Sequence, residues 1–219
     1  DRSDSFTNLS PKLGLSYALN DFHSLQLRAQ RGFRAPQASE MYRLQNNQNI
    51  ADLNSVELDS YEVEFKGAGE GWAYSAGYYF MDKQNEIVTN SARVNLNNSH
   101  TQHTGLEFSL GLDITETLSL AAVYNFAEHT YENSEISGGI DIQGNNVDTA
   151  PRQFGNLRLR WTPSERVTSE LELVSMGEYY TNPENTASYS GHNLLNLRTQ
   201  YTVNDSVQIY ANILNLDNR

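Results

Sequence analysis

The stretch HTQH puts His100 and His103 three residues apart, and imidazole is the commonest protein ligand of a transition metal. Its surroundings alternate apolar and polar residues and so read as strand, where positions i and i+3 face opposite sides. The two rings cannot share one ion unless the backbone turns irregular, and no metal site is expected. The Asp/Asn/Gly-rich segment GGIDIQGNNVD (138 to 148) has oxygen ligands but lacks the regular spacing of a calcium loop, and reads as an external loop. Serine, histidine and asparagine occur in the connections without a nucleophile elbow or an ordered triad spacing, so neither an enzyme nor a cofactor is expected. What remains is recognition chemistry. Arg34, Tyr42, Arg43, His103, Arg152, Tyr180, Tyr189 and His192 lie in or beside long polar connections. Arginine and tyrosine suit an anionic, aromatic ligand through charge-assisted hydrogen bonds and stacking. Glu132, Glu135, Asp141 and Asp148, in the same kind of connection, weigh against simple anion steering.

The elements that carry these residues alternate with period two. In NLRLRW (156 to 161), Leu157, Leu159 and Trp161 fall on one side of a strand and Asn156, Arg158 and Arg160 on the other. Similar runs recur at KLGLSYAL, SLQLRAQRGF, SYEVEFKG, WAYSAGYYF, TGLEFSLGL, LSLAAVYNF, VTSELELVS, HNLLNLRTQY and SVQIYANIL, giving about ten strands in all. Helical spacing competes only around residues 37 to 45. Short turns at Asn20-Asp21, 67 to 71, 113 to 117, 162 to 166 and 203 to 206 alternate with long connections at 34 to 57, 83 to 101, 128 to 151 and 178 to 191. In an up-and-down antiparallel sheet this puts every short turn at one end and every long loop at the other, the asymmetry of an outer-membrane barrel. One face collects leucines and aromatics; the other collects Gln26, Arg28, Glu62, Glu64, Glu107, Arg158, Glu170, Glu172 and Arg198. Trp72, Tyr74, Trp161 and Tyr201 sit near the short turns, and Phe33, Tyr78, Phe80, Phe126, Tyr179 and Tyr180 toward the long loops, as two interfacial girdles would require.

Composition fits that reading. Only 38% of the 219 residues are hydrophobic and mean hydropathy is -0.61, yet a barrel needs no long apolar run. A net charge of -12 leaves no basic stripe for nucleic acid, and the absence of cysteine excludes a disulfide framework. The fold expected is an all-β, antiparallel, up-and-down transmembrane β-barrel. A soluble β-sandwich binding module is the rival.

Several stretches resemble the TonB-dependent outer-membrane receptors. RGFRAP (31 to 36), continuing QASEMYRLQ, resembles the segment at the root of a large external loop. ELDSYEVEFKG (57 to 67), HTGLEFSL (103 to 110), GEYYTNPENTASYSGHNLLNLR (177 to 198) and NILNLDNR (212 to 219) resemble later strands and loops of the same barrel, in order and over essentially the whole chain. The resemblance implies a barrel of about 22 strands around a folded plug. This chain would supply about ten of them, residues 1–219 forming a partial barrel from the C-terminal part without plug or last strand. It implies a Gram-negative outer-membrane receptor and transporter for energised uptake of a scarce nutrient, foremost a ferric siderophore, with a passive porin as alternative. The implied partners are outer-membrane lipid, an iron chelate or similar small molecule, and the TonB complex through the missing N-terminal part. Haem-uptake members carry a histidine in the first of these loops; residues 37 to 57 hold none, which argues against haem.

Overall fold

The computed structural model describes residues 4–42, 52–89 and 95–216. The chain runs through β1 (Lys12–Ala18), β2 (His23–Arg34), α1 (Ala38–Tyr42), β3 (Val56–Gly69), β4 (Trp72–Thr89), β5 (Asn95–Thr115), β6 (Leu118–Tyr131), β7 (Ile136–Ser137) and β8 (Ile140–Asp141). It continues with β9 (Gln153–Ser164), β10 (Val167–Met176), β11 (Tyr179–Tyr180), β12 (Ser188–Tyr189), β13 (His192–Asn204) and β14 (Val207–Ile213). Ten of these make one antiparallel sheet in the order β1-β2-β3-β4-β5-β6-β9-β10-β13-β14. Every long strand therefore pairs with the long strands next to it in sequence, as the alternation of short and long connections requires. β7–β8 and β11–β12 are separate two-stranded hairpins within the long connections.

Register turns the alternation into two continuous faces. Leu15, Leu27, Val63, Tyr78, Leu106 and Phe126 stand side by side in one row across six strands. Leu120, Leu159, Leu171, Leu197 and Ile213 form another. The opposite face carries ion pairs: Arg28 reaches Glu62 at 3.2 Å and Glu64 at 3.5 Å, and Arg198 reaches Glu170 at 3.2 Å and Glu172 at 2.8 Å. Glu170 and Glu172 do lie in register between Arg160 and Arg158 on one side and Arg198 and Asn196 on the other. Concavities of about 280 and 560 Å³ open on this polar face, so it is the inside of the curl.

None of the described residues covers the apolar face. Among the described residues the buried hydrophobic side chains are Met41, Leu53, Val56, Ala127 and Ile142, all toward the long loops, whereas Leu15, Val63, Phe108, Leu157 and Leu173 are exposed. A contiguous apolar surface of this extent needs a partner, and its height indicates lipid. From Ile114 to the rung where Thr104 meets Phe80 is about 34 Å along the strand, or about 26 Å at a tilt of about 40°, matching the apolar band of an outer-membrane barrel. Near the short turns His23, Phe65, Trp72 and Tyr74 form a ring cluster, with His23 stacked on Phe65 at 5.7 Å and Trp72 on Tyr74 at 5.8 Å.

Two expectations change. The connection read at 83 to 101 is largely strand, because β4 continues to Thr89 and β5 begins at Asn95. Beyond the apolar band neither face of these strands meets lipid, so the alternation stops although backbone pairing continues. Tyr179 and Tyr180 are not girdle residues; they belong to the β11–β12 hairpin above the sheet. The helical spacing around 37 to 45 does yield a helix among the described residues, the short α1.

Candidate functional site

The long-loop end gathers the candidate residues into separate groups. Around β2 and α1, Arg34 donates to both carboxylate oxygens of Glu40, at 3.1 and 2.9 Å, and the Gln37 N–H donates to the same carboxylate at 2.7 Å. Tyr42 ends α1 with its hydroxyl donating to Asp4. Arg43 lies outside the described residues. Burial alone would raise the Glu40 carboxyl; the hydrogen bonds from Arg34 and Gln37 outweigh it and hold the group below its ordinary value. A depressed carboxylate contributes stability that is complete above its unfolded value and is lost as pH falls through the lower folded one. Limited proteolysis of the β2–β3 connection should therefore be unchanged between about pH 8 and pH 5, and should accelerate only below the ordinary carboxylate value of about 4.3. Acceleration already at pH 6 would show that this latch does not hold the connection.

A second group forms where the β6–β9 and β10–β13 connections meet. Asn145 donates to the Pro183 carbonyl at 3.0 Å, the Asn146 N–H to Asn185 at 2.8 Å and the Thr149 N–H to the Tyr180 carbonyl at 2.7 Å; Ser137 also bonds Glu184. These bonds make the two connections one surface. In it a cavity of about 90 Å³ is lined by Asn146, Ala150, Arg152, Glu178, Tyr179 and Tyr180. Arg152 is held by Glu128 at 3.1 Å and Asn146 at 2.9 Å. Tyr179 packs on Tyr189 at 5.3 Å between ring centres, and Tyr189 meets His192 at 2.8 Å from hydroxyl to Nδ1. Arg152, Tyr180, Tyr189 and His192 thus belong to one continuous arrangement, linked through Tyr179. Arg34, the last residue of β2, and Tyr42 in the β2–β3 connection lie elsewhere along the strand order.

His103 belongs to neither group. It lies on the inner face of β5, directly across from His129 on β6, with the two Nδ1 atoms 2.8 Å apart. His100 points to the other face, where its Nε2 meets Asp82 at 2.6 Å, so the two histidines of HxxH part as the strand requires. The sequence reading missed His129 and Tyr179. A signal for His129 existed: His103 and His129 are equally far from Glu116 in the short turn, so a hairpin folded there sets them opposite each other.

A curled antiparallel sheet, apolar outside and charged within, with short turns at one end and interlocked loops at the other, defines an outer-membrane β-barrel segment. The family model described as TonB dependent receptor-like, beta-barrel matches residues 1–216, and the chain belongs to that family. It lies in the Gram-negative outer membrane. A similar protein is the iron-regulated outer membrane virulence protein of Vibrio cholerae, 23% identical over 96% of this chain and 36% of that protein. The ferric yersiniabactin uptake receptor of Yersinia pestis superposes with a TM-score of 0.80 at 15% identity, over 95% of this chain and 32% of that one. The ferric preacinetobactin receptor of Acinetobacter baumannii does so with a TM-score of 0.75 at 20% identity, over 96% and 32%. The chain thus spans about a third of the length of these relatives.

Proposed function

We propose that this chain is the C-terminal part of a receptor barrel that takes up a ferric siderophore against its gradient, driven through the TonB complex, with the plug and TonB contact supplied by the rest of the polypeptide. The observation that carries the reading is the family match over residues 1–216, with neighbours named for ferric chelates. The Arg152, Tyr180, Tyr189 and His192 surface supports it chemically. Cationic and aromatic groups side by side at a loop mouth suit an anionic chelate with aromatic ligand arms.

The test is growth of a deletion strain, complemented with the complete receptor, on single ferric chelates as the only iron source, with and without TonB. Growth on at least one chelate that is lost without TonB is expected; growth indifferent to TonB would favour a passive porin and overturn the proposal. For the site, Tyr180→Ala with Tyr189→Ala should weaken binding of the supported chelate about tenfold or more, the loss of one to two aromatic contacts. Unchanged affinity at normal surface expression would remove this surface from the binding site.

A further inference from the structure

We propose that His103 and His129 form a two-histidine site for a single divalent first-row cation, Cu2+ above the others, on the inner wall of the barrel at its long-loop end. The inference stands apart from the uptake reading, since it concerns a cation held by protein nitrogen rather than iron carried inside a chelate.

The placement comes from the backbone. In register, Gln30, Ser60, Met81, His103 and His129 form one inward row across five strands. Toward the short turns the next inward row holds Gly105 and Ala127; toward the loops it holds Lys83, Thr101 and Tyr131. The two imidazoles are therefore fixed by paired strands, not by loop conformation, and both are partly buried. Thr101 Oγ1 lies 3.0 Å from His103 Nε2 and fixes that ring from behind while leaving Nδ1 directed at His129.

The spacing fits chelation. At the usual metal–nitrogen distance of about 2.0 to 2.1 Å, two ligands at a right angle sit about 2.9 Å apart, and two at the tetrahedral angle about 3.3 Å apart. The observed 2.8 Å is the right-angle value. Adjacent positions of a tetragonal ion, the preference of Cu2+ and Ni2+, need the least movement; Zn2+ needs the pair to open. The rings are already tilted by 57° with centres 4.9 Å apart, so rotation about each Cβ–Cγ bond turns both lone pairs from each other toward a common point. With no cation, one Nδ1–H donates to the other Nδ1, so the accepting ring is neutral with its proton on Nε2. When both Nδ1 atoms bind a cation the donating ring carries its one proton on Nε2 as well, and for His103 the Thr101 Oγ1 at 3.0 Å is placed to accept that N–H.

The nearest charged groups on this face leave the pair in surroundings close to electrically neutral. On the inward face Lys83 is paired to Glu86, which offsets its positive charge, while Asp82 lies on the opposite face with His100. Met81 is the register partner of His103 on β4 in the same inward row. The remaining positions are left for water or an oxygen donor.

The experiment uses the complete receptor in detergent, freed of metal and titrated with Cu2+, Ni2+ and Zn2+, with electron paramagnetic resonance on the copper form. One equivalent of Cu2+ bound more tightly than Ni2+ or Zn2+, with hyperfine structure from two imidazole nitrogens, is expected. His103→Gln and His129→Gln should each weaken it about a hundredfold, as losing a ligand costs at least what losing its supporting partner does. His100→Gln and His192→Gln should leave it unchanged. Copper bound with fewer than two imidazoles, or weakened equally by His100→Gln, would overturn the site; the wild-type spectrum decides this even if a variant fails to assemble.

Discussion

Arginine at Leu157 or Leu173 costs assembly of the complete receptor about 2 to 4 kcal/mol, while arginine one inward-to-outward repeat lower, at Leu159 or Leu171, costs visibly less. The gradient follows from depth. Leu157 and Leu173 are register partners, as are Leu159 and Leu171, and all four face lipid. Trp161, at the lower interface, is four residues from Leu157, about 14 Å along the strand and about 10 Å along the membrane normal, close to the middle of a band about 25 Å tall. Leu159 lies half as far in. Glu172, adjacent to both rows in sequence, behaves oppositely. It faces the water-filled side, where Arg198 at 2.8 Å and Asn196 at 3.1 Å donate to it, and both donors can still be accepted by an amide. Glu172→Gln should assemble nearly as wild type, because a partly exposed ion pair contributes at most about 1 kcal/mol. The measurement is heat-modifiable mobility after refolding into lipid vesicles. Equal assembly of all four arginine variants and wild type, with failure of Glu172→Gln, would invert the two faces.

These faces were legible in the sequence for a physical reason: inside the membrane band, each side of a strand has its own solvent and selection by solvent has period two. NLRLRW and the ELEL of residues 170 to 173 display it without interruption. Above the band the signal ends. KQNEIVT and NLNNSHTQ have no lipid on either side, and Ser99 and Thr101 on the inner side are buried by protein, so β4 and β5 extend through residues that read as loop. For the candidate surface the sequence offered residue types, but not their partners. Nothing in the sequence says that Arg34 is engaged by Glu40, or Arg152 by Glu128 and Asn146. Those contacts depend on how irregular connections fold back, and such folding has no period to read. His103 and His129 are the intermediate case, since hairpin symmetry about Glu116 carries the pairing even where alternation has stopped.

Gly191→Ala should release the β10–β13 connection while leaving the barrel assembled. Gly191 has φ of +81°, in the left-handed region that side chains rarely adopt. A Cβ there would strike the Met176 carbonyl oxygen and come within 2.7 Å of the Gly177 carbonyl carbon, and neither backbone atom can swing aside. Gly177 is itself fixed, its N–H donating to the Gln153 carbonyl at 2.7 Å. The strain, about 1 to 3 kcal/mol from the backbone angle with the clash added, falls on the connection instead. The connection would shift, and the Tyr189 to His192 contact and the Thr149 to Tyr180 bond that join it to its neighbours would be lost. The β10–β13 ladder from Met176–His192 to Val167–Tyr201 need not move far. The expected result is normal heat-modifiable assembly, protease cleavage within residues 178 to 191 faster by about tenfold or more, and a matching loss of chelate affinity. Gly139→Ala is the control that separates the two costs. Gly139 has φ of +86° but no atom within 4 Å of its Cβ position, so it meets the angle penalty without the clash and should raise cleavage of its own connection only modestly. If Gly191→Ala and Gly139→Ala act equally, the close approach to Met176 and Gly177 contributes nothing to holding the connection. If Gly191→Ala changes neither cleavage nor affinity, the β10–β13 connection is not the element that positions Tyr180 and Tyr189.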